Sequence, residues 1–215
     1  KPRNNMAPWE SSPLGPMVLP GLYSVTLSKR VEGKLEDISA PQEFKLKPLF
    51  SGGLVADDRE AVLQFQFQTA ELYRAIMGAD RASGEIEDRI EHLLAALELT
   101  PASSEQHAAE LRALQGRMHE LRVVMNGDSS VSSRSEPAPL ALTRRIGFIA
   151  GGSWESQSAV AGNYRESYRI AAEQFPPVLA ELKSIAADLA AFEAALESDR
   201  APWTPARLPD WPGGG

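Results

Sequence analysis

The chain has 215 residues, 43% hydrophobic and 24% charged, proportions of a globular protein with room for one domain or a small domain plus a bundle. A formal net charge of −7 excludes nucleic acid as the main partner, because phosphate binding needs a basic stripe and the nearest approach is Arg144-Arg145. Cysteine is absent, which excludes disulfides, thiolate nucleophiles and cysteine-ligated metals, and no apolar run reaches the roughly 20 residues of a membrane span.

The chain opens Lys1-Pro2-Arg3 without an initiator Met and closes Gly213-Gly214-Gly215, reading as a fragment or processed start and a linker-like end that frays. Pro2, Pro8, Pro13, Pro16 and Pro20 rule out a helix over residues 1–20 and predict an extended lead-in. The period then becomes two. Tyr23, Val25 and Leu27 alternate with Ser24, Thr26 and Ser28, the pattern of a half-buried strand. Glu32-Gly33 forms a turn, and return strands follow at Leu35–Ile38 and Phe44–Leu46. A lone hairpin is marginal in water, so this one either leans on the helices or is the end of an incomplete β-sandwich, and the second reading is favoured because its free edges would otherwise lie open.

From Asp57-Asp58 the apolar spacing alternates between three and four. Phe65, Thr69, Leu72, Ile76, Ala79, Ser83, Ile86, Ile90, Leu93 and Leu97 predict a helix over 57–98, continuous through Gly78 and Gly84 because the phase does not slip. A second helix begins with Ser103 or Ser104 as its cap. It carries Leu111, Leu114, Met118, Leu121 and Met125, and stops near Asn126-Gly127. Residues 127–139 read as a loop, and Leu140–Ala150 as a short helix ended by Gly151-Gly152, with Trp154 anchoring the turn. The last helix, 162–198, carries Tyr168, Ala171, Phe175, Val178, Leu182, Ile185, Leu189, Phe192 and Leu196, and keeps its phase across Pro176-Pro177, where a kink is expected. The tail Ala201–Pro212 is rich in proline, and Trp203 and Trp211 are expected to anchor it on the bundle.

The fold class implied is mainly α: an antiparallel helical bundle of long heptad-patterned helices preceded by a short β-hairpin. Its parts are a lead-in and hairpin over 1–50, a bundle over 51–200 and a docked tail over 201–215. Phe65, Leu72, Ile76, Ile86, Ile90 and Leu93 are expected to face Leu114, Leu121, Leu182, Ile185, Leu189 and Phe192 in the core.

No catalytic constellation emerges from the residues. The positions three before His92, His107 and His119 are Arg89, Ser104 and Gly116, so the Glu-x-x-His pairs of di-metal bundles are missing. His92 and His119 are placed towards solvent and His107 in a half-buried seam position. Glu85, Glu87, Asp88 and Glu91 fall on an outer helix face interleaved with Arg81 and Arg89, the spacing of a solvated charged face rather than of paired catalytic carboxylates. Gly147, Gly151 and Gly152 match neither a dinucleotide fingerprint nor a P-loop. No serine sits in a nucleophile-elbow context. No cofactor, metal or catalytic residue is assigned; the site residues are the structural anchors Tyr23, Trp154, Trp203 and Trp211.

The order of local patterns resembles a known family. The strand Pro20-Gly21-Leu22-Tyr23-Ser24-Val25-Thr26-Leu27 is followed by a long helical hairpin ending at Asn126-Gly127-Asp128. Leu142-Thr143-Arg144-Arg145-Ile146-Gly147 then leads into Gly151-Gly152-Ser153-Trp154. The closing block holds Tyr168-Arg169-Ile170-Ala171, Phe175-Pro176-Pro177-Val178-Leu179 and the Pro-Trp tail from Ala201 to Trp211. From about residue 16 to residue 212 this resembles the C-terminal region of bacterial sortilin-like, sialidase-like β-propeller proteins that carry a glycosyl hydrolase label. The resemblance implies a secreted or periplasmic protein in which any glycosidase chemistry belongs to the propeller, and the label itself rests on fold analogy. The Ser-x-Asp-x-Gly-x-x-Trp box of such propellers does not occur in this sequence. A non-catalytic C-terminal structural or interaction module is the function this implies. Its partner would be the rest of the parent polypeptide or another protein, without nucleic acid and without a membrane span. Two alternatives stay open: a helical adaptor that binds a partner helix or peptide, and part of a glycosidase whose active site lies in other sequence.

Overall fold

The computed structural model describes residues 15–48, 55–100, 105–154, 156–205, 207–209 and 211. The expected Ser103 or Ser104 cap, the first residues of the lead-in and the terminal glycines lie outside them. The chain is mainly helical, with a hairpin before the long helices, as the periodicities imply. It divides into two compact units. One holds the hairpin, the first turns of the first long helix and residues 150–162; the other holds the remaining helical chain and the tail. The division therefore falls inside a helix, at 70/71.

In the first unit, β1 (Gly21–Val25) pairs antiparallel with β4 (Gln42–Leu46), and β2 (Ser28–Val31) with β3 (Lys34–Asp37). These are the two halves of one interrupted hairpin. At the interruption Thr26 and Leu27 on one side face Ile38, Ser39, Ala40 and Pro41 on the other. Proline cannot donate to a ladder, and the excess residues bulge out around it. The Ile38 amide donates to the Leu27 carbonyl (2.8 Å) and the Leu27 amide to Ser39 Oγ (2.9 Å), so the two halves stay joined. The tip is a two-residue turn in which Glu32 (φ 49°) and Gly33 (φ 83°) both take positive φ, the handedness that matches strand twist.

The helix α1 (Arg59–Glu98) is continuous for 40 residues, about 60 Å at 1.5 Å per residue. Asp58 caps it, accepting from the Ala61 amide at 2.8 Å. Gly78 and Gly84 interrupt nothing, because each costs only about 1 kcal/mol and the seam on either side is in phase.

In the second unit, α2 (Glu105–Asn126) and α5 (Gly162–Ser198) join the greater part of α1 in an up–down–up bundle. Asp80 of α1 meets Arg122 and Asn126 of α2, while Glu91 shares a crevice with Arg112, so these two helices run antiparallel. Arg117 of α2 bonds Glu181, Ser184 and Asp188, and His107 lies against Phe192 and Asp199, so α2 and α5 are antiparallel too. This leaves α1 and α5 parallel, with Ala75–Ile86 beside Phe175–Ala186. The core is the predicted seam: Ile76, Ile86, Ile90, Leu93, Leu114, Leu121, Leu182, Ile185, Leu189 and Phe192 are buried, and Leu72 is half-buried. Phe65 is buried in the first unit's share of α1.

Pro176 and Pro177 sit inside α5 with both rings exposed. The donors they lack would have served the Ala172 and Glu173 carbonyls, which lie half-buried and exposed, so the loss falls away from the core and the helix runs through. Two segments differ from expectation. The 127–139 loop contains a single turn, α3 (Ser129–Ser132), started by Asp128, whose carboxylate accepts from the Ser130 amide at 2.8 Å. The short helix α4 (Leu142–Ser153) runs through Gly151 and Gly152 instead of ending before them. A glycine stops a helix by adopting positive φ, and of these C-terminal signals only Gly127 (φ 85°), after α2, does so. In the second unit, α4 buries Leu142, Ile146 and Ile149, and Thr143 Oγ1 donates to the Met125 carbonyl (2.9 Å) at the end of α2.

Candidate functional site: an exposed hairpin and a buried charge cluster

The hairpin gives the first unit its most unusual surface. Strand pairs directly opposite one another share a face, so Tyr23, Val25, Phe44 and Leu46 stand on one side of the β1–β4 ladder. Tyr23 stacks on Phe44 with ring centroids 5.9 Å apart, and its hydroxyl donates to the Leu19 carbonyl at 2.6 Å. Beyond this pair the apolar side chains lie open: Leu22 is 68% exposed, Leu27 62%, Leu35 64% and Ile38 52%. β2 and β3 are exposed at every residue. Leu22 stands on the face opposite Tyr23, Val25 and Phe44, so apolar side chains lie open on both faces of the ladder.

In the second unit the seam encloses a carboxylate. Glu193 of α5 is 2% exposed and accepts from Arg89 of α1 at both oxygens, Nε–Oε1 3.0 Å and Nη2–Oε2 2.7 Å. Arg207 of the tail stands 3.7 Å from the same carboxylate and holds Glu197 bidentately at 2.5 and 2.6 Å. These hydrogen bonds keep the Glu197 carboxyl below its ordinary range and raise the Arg207 guanidinium. The chain reaches this position by leaving α5 through Arg200 at φ 61°, with the Ala201 amide returning to the Leu196 carbonyl at 3.0 Å. The tail is thus held by a cation. The expected anchors Trp203 and Trp211 are 48% and 84% exposed. Proline locks the backbone of this segment but does not turn its indoles inward.

The other anchors are in the first unit. Tyr23 makes the contacts given above, and Trp154 is half-buried directly after α4, its amide donating to the Ala150 carbonyl at 3.3 Å. His92 and His119 are exposed, and His107 is half-buried, edge-on to Phe192 at 5.8 Å and 3.6 Å from Asp199. Glu85, Asp88 and Glu91 are exposed, while Glu87 reaches Arg122 at 3.4 Å. Among the described residues no group of three or more metal-ligating side chains converges, and no helix is long and apolar enough to cross a membrane.

The sequence pattern assigns Glu193 and Arg207 no role and places Arg89 on a solvated outer face, whereas Arg89 is half-buried and turned onto Glu193. A signal existed: Glu193 lies four residues after Leu189 and three before Leu196, inside the wider stripe that a 3.6-residue period buries. A strict seam of alternating threes and fours passes beside it. Comparison with protein-family models, with curated proteins and with solved structures gives no match.

Proposed function

We propose that this chain is a non-catalytic structural module of a larger exported β-propeller protein, and that its hairpin completes a β-sheet supplied by that larger body. The observation that carries the reading is the hairpin itself: Leu22 and Leu35 on its strands, and Leu27 and Ile38 at its interruption, are each more than half exposed, and the outer edges of the strands are unpaired among the described residues. Two strands standing alone are marginal in water, and exposed edges with apolar flanks invite uncontrolled pairing. Sheet completion removes both defects at once. The seam of the helical bundle is already filled by its own side chains.

The gene sequence upstream of Lys1 tests this directly. In-frame propeller repeats support the reading, and a start codon immediately before Lys1 overturns it. Amide exchange gives a second readout, since residues 21–46 should exchange rapidly in this chain alone and slowly when the preceding β-rich region is attached.

A further inference from the structure

A cleft of about 440 Å³ opens in the first unit, within the range of roughly 300–1,000 Å³ usual for small-molecule sites. Met17, Val18, Leu19, Leu46, Val62 and Leu63 make its walls apolar. The wall is pinned at three points. The Ala56 amide donates to the Gln157 carbonyl (2.9 Å), Gln66 Nε2 to the Ser153 carbonyl (2.6 Å), and Gln157 Nε2 lies 4.0 Å from Met17 Sδ. Gln66 is itself buried, so its amide is committed to shaping the cleft.

The charges are one-sided. Lys47 and Arg59 line the cleft, no carboxylate does so among the described residues, and neither cation takes part in any ion pair among those residues. This is unusual in a chain of net charge −7, where carboxylates outnumber cations. A half-buried guanidinium beside apolar walls is complementary to an aliphatic chain that ends in an anion, because the fork binds both carboxylate oxygens while the tail leaves water.

We propose that this cleft binds a free medium-chain aliphatic carboxylate, its chain lying along Leu19, Leu46, Val62 and Leu63 and its carboxylate on Arg59, with Lys47 adding to the attraction. This assignment does not rest on the sheet-completion reading: of the hairpin the cleft uses only Leu46, the last residue of β4, and none of Leu22, Leu27, Leu35 and Ile38.

Isothermal titration of the whole chain with sodium decanoate, decanol and decylamine is the test. Decanoate should bind, decanol more weakly, and decylamine at least about 10-fold more weakly than decanoate. Arg59→Gln should lower decanoate affinity about 10-fold and leave decanol unchanged, as the loss of one charge-assisted hydrogen-bonding group requires. Leu63→Glu, which sets a carboxylate in the half-buried wall, should abolish decanoate binding while leaving the melting curve in place. Equal binding of decanoate and decylamine, no decanoate binding at millimolar concentration, or an Arg59→Gln variant that binds decanoate as the parent does would each overturn the proposal.

Discussion

Arg89 grips the carboxylate of Glu193 through both oxygens, at 3.0 and 2.7 Å, and so ties α1 to α5 inside the apolar seam. Burying a carboxylate is costly unless its charge and lone pairs are met, and here the Arg89 fork meets both oxygens while Arg207 stands 3.7 Å from one of them. The asymmetry of such a pair gives the first prediction. Arg89→Met should destabilise the chain by about 3 kcal/mol in urea unfolding, the low end for a broken buried pair because the arginine is itself part-exposed. The double variant Arg89→Met, Glu193→Leu should recover most of that loss. A double variant no more stable than Arg89→Met would show that the carboxylate contributes more than charge balance.

Arg207 gives the tail a pH dependence. Its guanidinium holds the Glu197 carboxyl below the ordinary value of 4.5, so the folded state binds that proton less readily than the unfolded state. The stabilisation is therefore present above the ordinary carboxylate value and is lost as pH falls through the lower folded one. Emission anisotropy from Trp203 and Trp211 should fall as the solution is acidified below about pH 4. In Arg207→Gln that step should vanish and the anisotropy be low already at pH 7. A step of equal size in Arg207→Gln would place the acid transition elsewhere in the chain.

The alternating three-and-four spacing made the bundle legible, because a seam buried against neighbours on one side leaves the same signature wherever it occurs. The ends of α5, the hairpin turn at Glu32-Gly33 and the Gly127 stop were legible for a related reason, since each depends on local backbone chemistry. The α4 terminus was not: Gly151-Gly152 is a stop only if one glycine turns left-handed, and tertiary burial of Ile146 and Ile149 kept the helix going. Nor was the Glu193 cluster, which brings together residues 89, 193 and 207, because the sequence carries no local mark of a partner 104 positions away. The open hairpin was legible as strands but not as a surface, since alternation gives the face of a side chain and not what covers it.

Trp203 and Trp211 carry the third prediction. Both are too exposed to contribute much by burial, so Trp203→Ala and Trp211→Ala should each change unfolding free energy by less than about 0.5 kcal/mol. Arg207→Gln should change it more than either. A tryptophan variant losing 2 kcal/mol or more, of the order expected for a buried aromatic, would mean that the indole packs in solution.

Two threonines, Thr69 inside α1 and Thr100 just beyond its end, should respond to the same substitution with opposite sign. Thr69 is fully buried, and its Oγ1 has no hydrogen-bond partner among the described residues. Thr100 is also buried, but its Oγ1 donates to the Ala96 carbonyl at 2.7 Å. Valine is β-branched and close to threonine in shape, so the exchange removes a hydroxyl and changes little else in packing. At residue 69 it removes a polar group whose desolvation is uncompensated, and Thr69→Val should stabilise the chain by about 1 kcal/mol. At residue 100 it removes a made bond, and Thr100→Val should destabilise it by about 1 kcal/mol. Urea unfolding at constant m-value resolves differences of this size when both variants are measured beside the parent. A destabilised Thr69→Val would show that its hydroxyl is hydrogen-bonded in solution, and the two sites would then differ in degree and not in sign.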